Sequence, residues 1–357
     1  MNNFYTCFLL GLLLISCGCR NKSEYNVIEL SVTNANTDFS LPIEDVAFKP
    51  EVIPLETSDL VLIGNVNSVK ETRKYFIIVS DYKFIFLFDK AGKFVSKISN
   101  EGHGPGEYLG IRALRVDEPN EIMYVMDYFG RQMLKYNFNG EFKGSFPLPE
   151  EKYSLTGFFI LGDNIIYTSD ANAVKPELWA YNFKTKELIE ISKPEREMGE
   201  EAFAGNTYLF GNSDKPYLYH YFNDTVFVFT KDLQLNPHHL LKVGNGMLTY
   251  DFLAGKTKMS TPGIQVSGMW NATDYVFIKY NGHLGLYSLD FKVFYPNVIL
   301  KNKEYPELSV SAEDVISQGL DEKSVIIIKQ AISLTEANLP FPINESDNPI
   351  LVKYVMK

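Results

Sequence analysis

Gly102, His103, Gly104, Pro105, Gly106, Glu107 and Tyr108 form the one stretch whose residue types and spacing single it out as a candidate binding loop. Three glycines around a proline let the backbone turn sharply and leave N–H groups free to meet an anion or a partner carbonyl. The competing readings are a rigid connector and, more sharply, proton transfer through His103. The stretch is no phosphate loop, because it lacks the Gly-Lys-Ser/Thr ending. It is no dinucleotide fingerprint either, since residues 112–116 begin a strand where that motif requires a helix.

The remaining polar residues give no catalytic constellation. His220 sits in an alternating aromatic strand, His238 and His239 are adjacent and are expected on opposite strand faces, and His283 follows an Asn-Gly turn. None has HExxH spacing or a second carboxylate at fixed offset, so no catalytic residue, metal ligand or cofactor is assigned. Ser80-Asp81-Tyr82-Lys83 matches Ser-x-x-Lys but crosses a hairpin and lacks its companion motifs. Asp81, Asp127 and Asp170 end successive second strands, where a carboxylate accepts N–H bonds of the following turn. An acid ring holding a cation is disfavoured, because axial residues should come from first strands. Trp179 and Trp270 are possible aromatic contacts for a sugar, or packing between elements.

What positions these side chains is a repeat. Residues 74–147 contain one pattern twice: KYFIIVSD with FIFLFDKAGKFVSKIS, then EIMYVMD with QMLKYNFNGEFKGSFP. Period-two alternation in short runs indicates half-buried antiparallel strands, and the glycines suit tight hairpins. Four short strands cannot bury both faces alone, so the unit must stack on others like itself. Further copies give five complete blades and a sixth that lacks one strand, which residues 51–55 (EVIPL) can supply. The fold class expected is all-β: a six-bladed β-propeller with four-stranded antiparallel blades, its ring closed by an N-terminal strand.

Between these units, residues 293–298 are expected as an outer strand and residues 194–205 and 244–263 as long connections, with a short helix possible over 252–259. Residues 331–348 are an insertion, helical at most before Pro340 and Pro342.

At the N-terminus, CFLLGLLLISC has signal-peptide length and is too short to span a bilayer as a mature helix. Leu14-Ile15-Ser16-Cys17 resembles a bacterial lipoprotein processing box, which implies cleavage before Cys17 and acyl chains on its thiol and amino group. Residues 1–3 lack the usual basic residues, and Cys19 offers a poorer second register. The domains expected are a signal peptide at 1–16, a lipidated tether at 17–45, polar from residue 21 and with room for one packed strand, and the propeller at 46–357. From Arg20 onward there is no cysteine, so the body holds neither a disulfide nor a thiol nucleophile. A formal net charge of -10 argues against nonspecific nucleic-acid binding.

Four motifs, VIPLETSDLVLIG (52–64), GHGPGEY (102–108), NDTV (223–226) and NPILVKY (348–354), resemble those of the six-bladed propeller lipoproteins of Bacteroides and relatives. The resemblance covers nearly the whole mature chain. It implies a lipid-anchored propeller in the cell envelope and carries no accepted catalytic residue or substrate; the outer membrane is favoured because Gly18, next to Cys17, is not the Asp that retains many lipoproteins at the inner membrane. A more distant similarity links the chain to NHL and TolB-type propellers, which mostly serve as interaction surfaces.

The function expected is therefore a non-enzymatic, membrane-anchored binding or scaffold propeller. Its partners would be the membrane, through the lipid, and an envelope protein or glycan meeting the ring face near residues 102–108 and the long connections 194–205 and 244–263, with no nucleic acid. The alternative is a carbohydrate-active hydrolase or glycan-binding propeller. Carboxylates converging in the axial mouth would mark hydrolysis, and a glycine-rich or aromatic mouth would mark binding.

Overall fold

In the first blade the two middle strands, Tyr75–Ser80 and Phe84–Asp89, are buried along nearly their whole length, whereas the outer strand Phe94–Ile98 alternates. Strands covered on both faces read as continuous apolar runs, and a strand with one wet face alternates. The middle strands are therefore pressed between neighbouring blades. The computed structural model describes residues 26–30, 38–149, 155–169, 178–192, 207–212, 215–220, 224–242, 264–337 and 339–357.

The second blade repeats the first with Ala113–Asp117, Ile122–Asp127, Gln132–Asn137 and Phe142–Pro147, and four more antiparallel sheets complete a six-bladed propeller. The six inner strands are Val66–Glu71, Ala113–Asp117, Leu155–Leu161, Thr207–Asn212, Val266–Ala272 and Val315–Gln318. Each core cluster lies between successive blades. Ile77 and Leu87 of the first meet Val125 and Leu134 of the second, and Phe277 of the fifth meets Val325 of the sixth. Bulges near the start of the inner strands of blades one, three and five, as between Val66 and Ser68, add local twist there.

The ring closes as the sequence predicts. Glu51–Pro54 pairs antiparallel with Ile350–Val355, with Ile350 opposite Pro54 and Lys353 opposite Glu51. Pro54 is tolerated because this strand ends its sheet, so no ladder partner is lost. Beside the joint, buried Asn348 donates through Nδ2 to the carbonyls of Glu56 and Val61, both at 2.7 Å, and accepts from Ile63 N–H at 2.8 Å. Among the described residues the insertion is helical only in a 3-10 turn, Ala331–Leu334.

Two expectations are corrected and one is exceeded. The polar stretch before residue 46, where room for one packed strand is expected, contains two, Asn26–Glu29 and Phe39–Pro42, which add in parallel to Leu235–Lys242 of blade four and to Val298–Lys301. Buried Ile28 and Leu30 anchor the first of them. The outer strand expected over 293–298 breaks into Val293–Tyr295 and Val298–Lys301, since Pro296 donates no hydrogen bond and Asn297 has a positive φ of 47°. His238 and His239 share a side: Phe227 pairs with Pro237 and Val226 with His239, so His238 is extra and the two rings stand 4.1 Å apart. The helix expected over 252–259 and the connections 194–205 and 244–263 lie outside the described residues, as does Asp170.

Candidate functional site: the axial channel

Within each blade the strands alternate in direction, so all inner strands run from one face of the ring to the other. The upper face carries the blade-to-blade connections, including residues 102–108. The lower face carries the turns that follow the inner strands. Three adjoining cavities lie along the axis. The upper one, about 650 Å³, reaches Tyr82 and Arg112 and is lined by the polar groups of Asn67, Ser68, Thr156 and Ser267. The middle one, about 190 Å³, is walled by Tyr208, Phe210 and Trp270. The lower one, about 60 Å³, meets Lys70, Glu71, Arg115, Glu118 and Phe159. Arg115 lines all three.

The channel is electropositive at its narrow end. Burial and the neighbouring Arg115 charge lower the Lys70 ammonium from its ordinary 10.5 to about 7. Burial lowers Arg115 to about 10. Both side chains are partly exposed by area because the cavities reach them, yet protein surrounds them closely enough to strip most of their bulk hydration. Glu71 does not offset them. Burial pushes its carboxyl up, but hydrogen bonds from Lys353, Lys90 and Leu320 N–H together hold it below the usual range. Glu118 accepts from Arg73 N–H.

The candidate loop is a packed connector. Gly104 N–H donates to Glu107 Oε2 at 2.8 Å, Gly102 N–H to the Tyr108 carbonyl at 3.1 Å, and Tyr136 Oη–H to the Gly106 carbonyl at 2.8 Å. Tyr108 is fully buried, and burial pushes its phenol up. A side chain at Gly106, where φ is +78°, would strike the Phe142 ring, so glycine is required there. Exposed His103 and Pro105 leave a small solvent-facing tip.

The other candidates separate. Trp270 reaches the axis, where its ring lies close over Gly268, while Trp179 is only 2% exposed within blade three. Buried Asp127 accepts from Gly130 N–H at 2.9 Å and Leu109 N–H at 3.0 Å, the turn role expected, whereas Asp81 accepts from Asn65 N–H on the preceding connection. His283 Nδ1 pairs with Asn297 Oδ1 at 3.0 Å. Cys17 and the side chain of His220 lie outside the described residues. Among the described residues no group of three His, Cys, Asp or Glu could hold a metal ion. Lys70 and Arg115, the cations the structure brings together, are the residues that sequence reasoning missed.

Residues 25–355 match the family described as Domain of unknown function (DUF4934). The chain belongs to that family. Among solved structures this DUF4934 chain is similar to a candidate exported protein of Bacteroides fragilis, with 18% identity and a TM-score of 0.68 over 93% of this chain and all of that one. It is also similar to a DUF4221 family member of Bacteroides vulgatus, with 14% identity and a TM-score of 0.53 over 87% of this chain and 97% of that one. These likenesses establish the fold. No curated protein matches the chain.

Proposed function

We propose that this protein is a non-enzymatic, lipid-anchored binding propeller of the bacterial cell envelope that receives its ligand in the axial channel from the upper face. The observation that carries this reading is the chemistry of the channel wall. Its upper and middle cavities combine hydroxyls, amides and the aromatic rings of Tyr208 and Trp270, with no carboxylate lining them among the described residues. Aromatic faces and short polar side chains are a wall that holds a polar ligand, whereas glycoside hydrolysis ordinarily requires two carboxylates at the scissile bond.

The envelope placement rests on Leu14 to Cys17 and fits the exported naming of the Bacteroides fragilis neighbour. In this reading the exposed tip at His103 and Pro105 belongs to the rim that a partner meets. The test is affinity capture of the lipidated protein from its own membrane beside a glycan panel, comparing the parent with Ser267→Trp, which fills the upper cavity. Specific capture that this variant loses, with its melting profile intact, supports the reading. Turnover of any captured glycan overturns it.

A further inference from the structure

Two basic side chains stand at the narrow part of the axial channel with no carboxylate paired to either among the described residues. Arg115 Nη1 donates to the carbonyl of its own neighbour Leu114 at 2.9 Å, its guanidinium lies 4.8 Å from the Phe159 ring centroid, and its buried Nε has no partner. Lys70, on the inner strand of the adjacent blade, lines the same lower and middle cavities, and the charge that acts on it is that of Arg115. The acids of the lower cavity are engaged elsewhere, Glu71 by Lys353 and Lys90 and Glu118 by Arg73 N–H.

The placement is unusual for this chain, in which 44 acidic residues outnumber 34 basic ones. Uncompensated like charges in a partly desolvated channel destabilise the fold until a counter-charge arrives. Arginine's planar fork matches an oxyanion with two acceptor atoms, and lysine adds a point charge beside it. Above them the channel widens into a wall of hydroxyls and amides, with Trp270 and Tyr208 below, which suits a hydroxylated ring.

We infer that the channel binds an acidic saccharide, with its oxyanion held by Lys70 and Arg115 and its hydroxylated ring in the wider cavity above. This rests on the axial channel being the ligand site, and it adds the charge and chemical class of the ligand. The shared chemistry is the oxyanion, whose source is either a sugar carboxylate or a sulfate ester.

The experiment is calorimetric titration of the full-length mature protein in detergent with glucuronate, glucose 6-sulfate, glucose and inorganic sulfate. The parent binds at least one of the two acidic sugars tenfold or more tightly than glucose, and whichever binds identifies the source. Lys70→Met/Arg115→Met removes that preference while melting no lower than the parent, since it deletes unpaired charges. The inference is overturned if neither acidic sugar exceeds glucose, if inorganic sulfate alone binds, or if the double variant keeps the preference. Neutral ligands captured equally by both proteins would leave the binding reading standing and remove this one.

Discussion

Glu71 Oε1 accepts a hydrogen bond from Lys353 Nζ at 2.6 Å, joining the inner strand of the first blade to the third strand of the sixth. The same oxygen accepts from Lys90 Nζ at 2.6 Å, and Oε2 accepts from Leu320 N–H at 2.9 Å. The carboxylate is 2% exposed, so this clasp is shielded from solvent at the seam where the chain's two ends close the ring.

Breaking a buried ion pair on one side leaves charge uncompensated, so Glu71→Leu should lower stability by roughly 3 kcal/mol in urea unfolding. Because the Glu71 pKa is depressed when folded, its contribution is present above the unfolded value of about 4.5. It disappears as pH falls through the folded value. The difference between parent and variant should shrink in acid, and a constant difference would reject the clasp.

Lys70 predicts a slope of the same sign at higher pH. Its folded pKa, about 7, lies below its ordinary 10.5, so between these values the unfolded chain binds more protons. Its contribution to stability should therefore rise with pH from about 7 to 10.5. Lys70→Met should flatten that rise, measured as the change in melting temperature with pH. The other titratable groups lining its cavities are Glu71, Arg115, Glu118 and Tyr208.

Burial and the neighbouring His238 lower His239 to about 3, and burial and Lys215 lower His238 to about 4. Both lie below the ordinary 6.5, so these rings make the protein less stable as pH falls from about 6.5 toward 4. His239→Phe should keep more of its neutral-pH stability at pH 4 than the parent, read by fluorescence-monitored unfolding. Equal acid sensitivity would exclude His239 as the cause.

Truncation separates the rim strand from the closing strand. Removing residues through Glu29 deletes the strand on blade four and the buried Ile28, which should cost about 2 kcal/mol while leaving the ring closed. Removing residues through Thr57 also strips the partner of Ile350–Val355 and should cause aggregation, seen by light scattering. Similar scattering from both would contradict this closure.

Cys17→Ala should abolish lipid attachment and leave the precursor uncleaved, checked by mass spectrometry of the N-terminus. An unlipidated mature terminus in the parent would remove the anchor from the proposed function.

The ring was legible because hairpin periodicity repeats: the residue 74–147 pattern and the orphan strand 51–55 reappear as paired strands with the expected closure. The motifs at 52–64 and 348–354 are distinctive for a reason the structure supplies, since Asn348 binds Glu56, Val61 and Ile63. They mark a joint. The channel was not legible, because Lys70 and Arg115 look like ordinary charged residues in alternating strands until six inner strands surround one axis. The histidine bulge depended on cross-strand register, although Pro237 was a usable signal, as proline inside a strand often accompanies a bulge.

The strand Asn26–Glu29 also fixes a posture. It runs parallel to Leu235–Lys242, so its Asn26 end points toward the lower face, where the inner strands finish. With lipid on Cys17, the intervening stretch of about nine residues can reach no more than roughly 30 Å. So short a mooring would hold the propeller with its lower rim toward the bilayer and its wide mouth turned outward. Such a receptor would gather cargo from the aqueous side and not from the lipid headgroup layer beneath it.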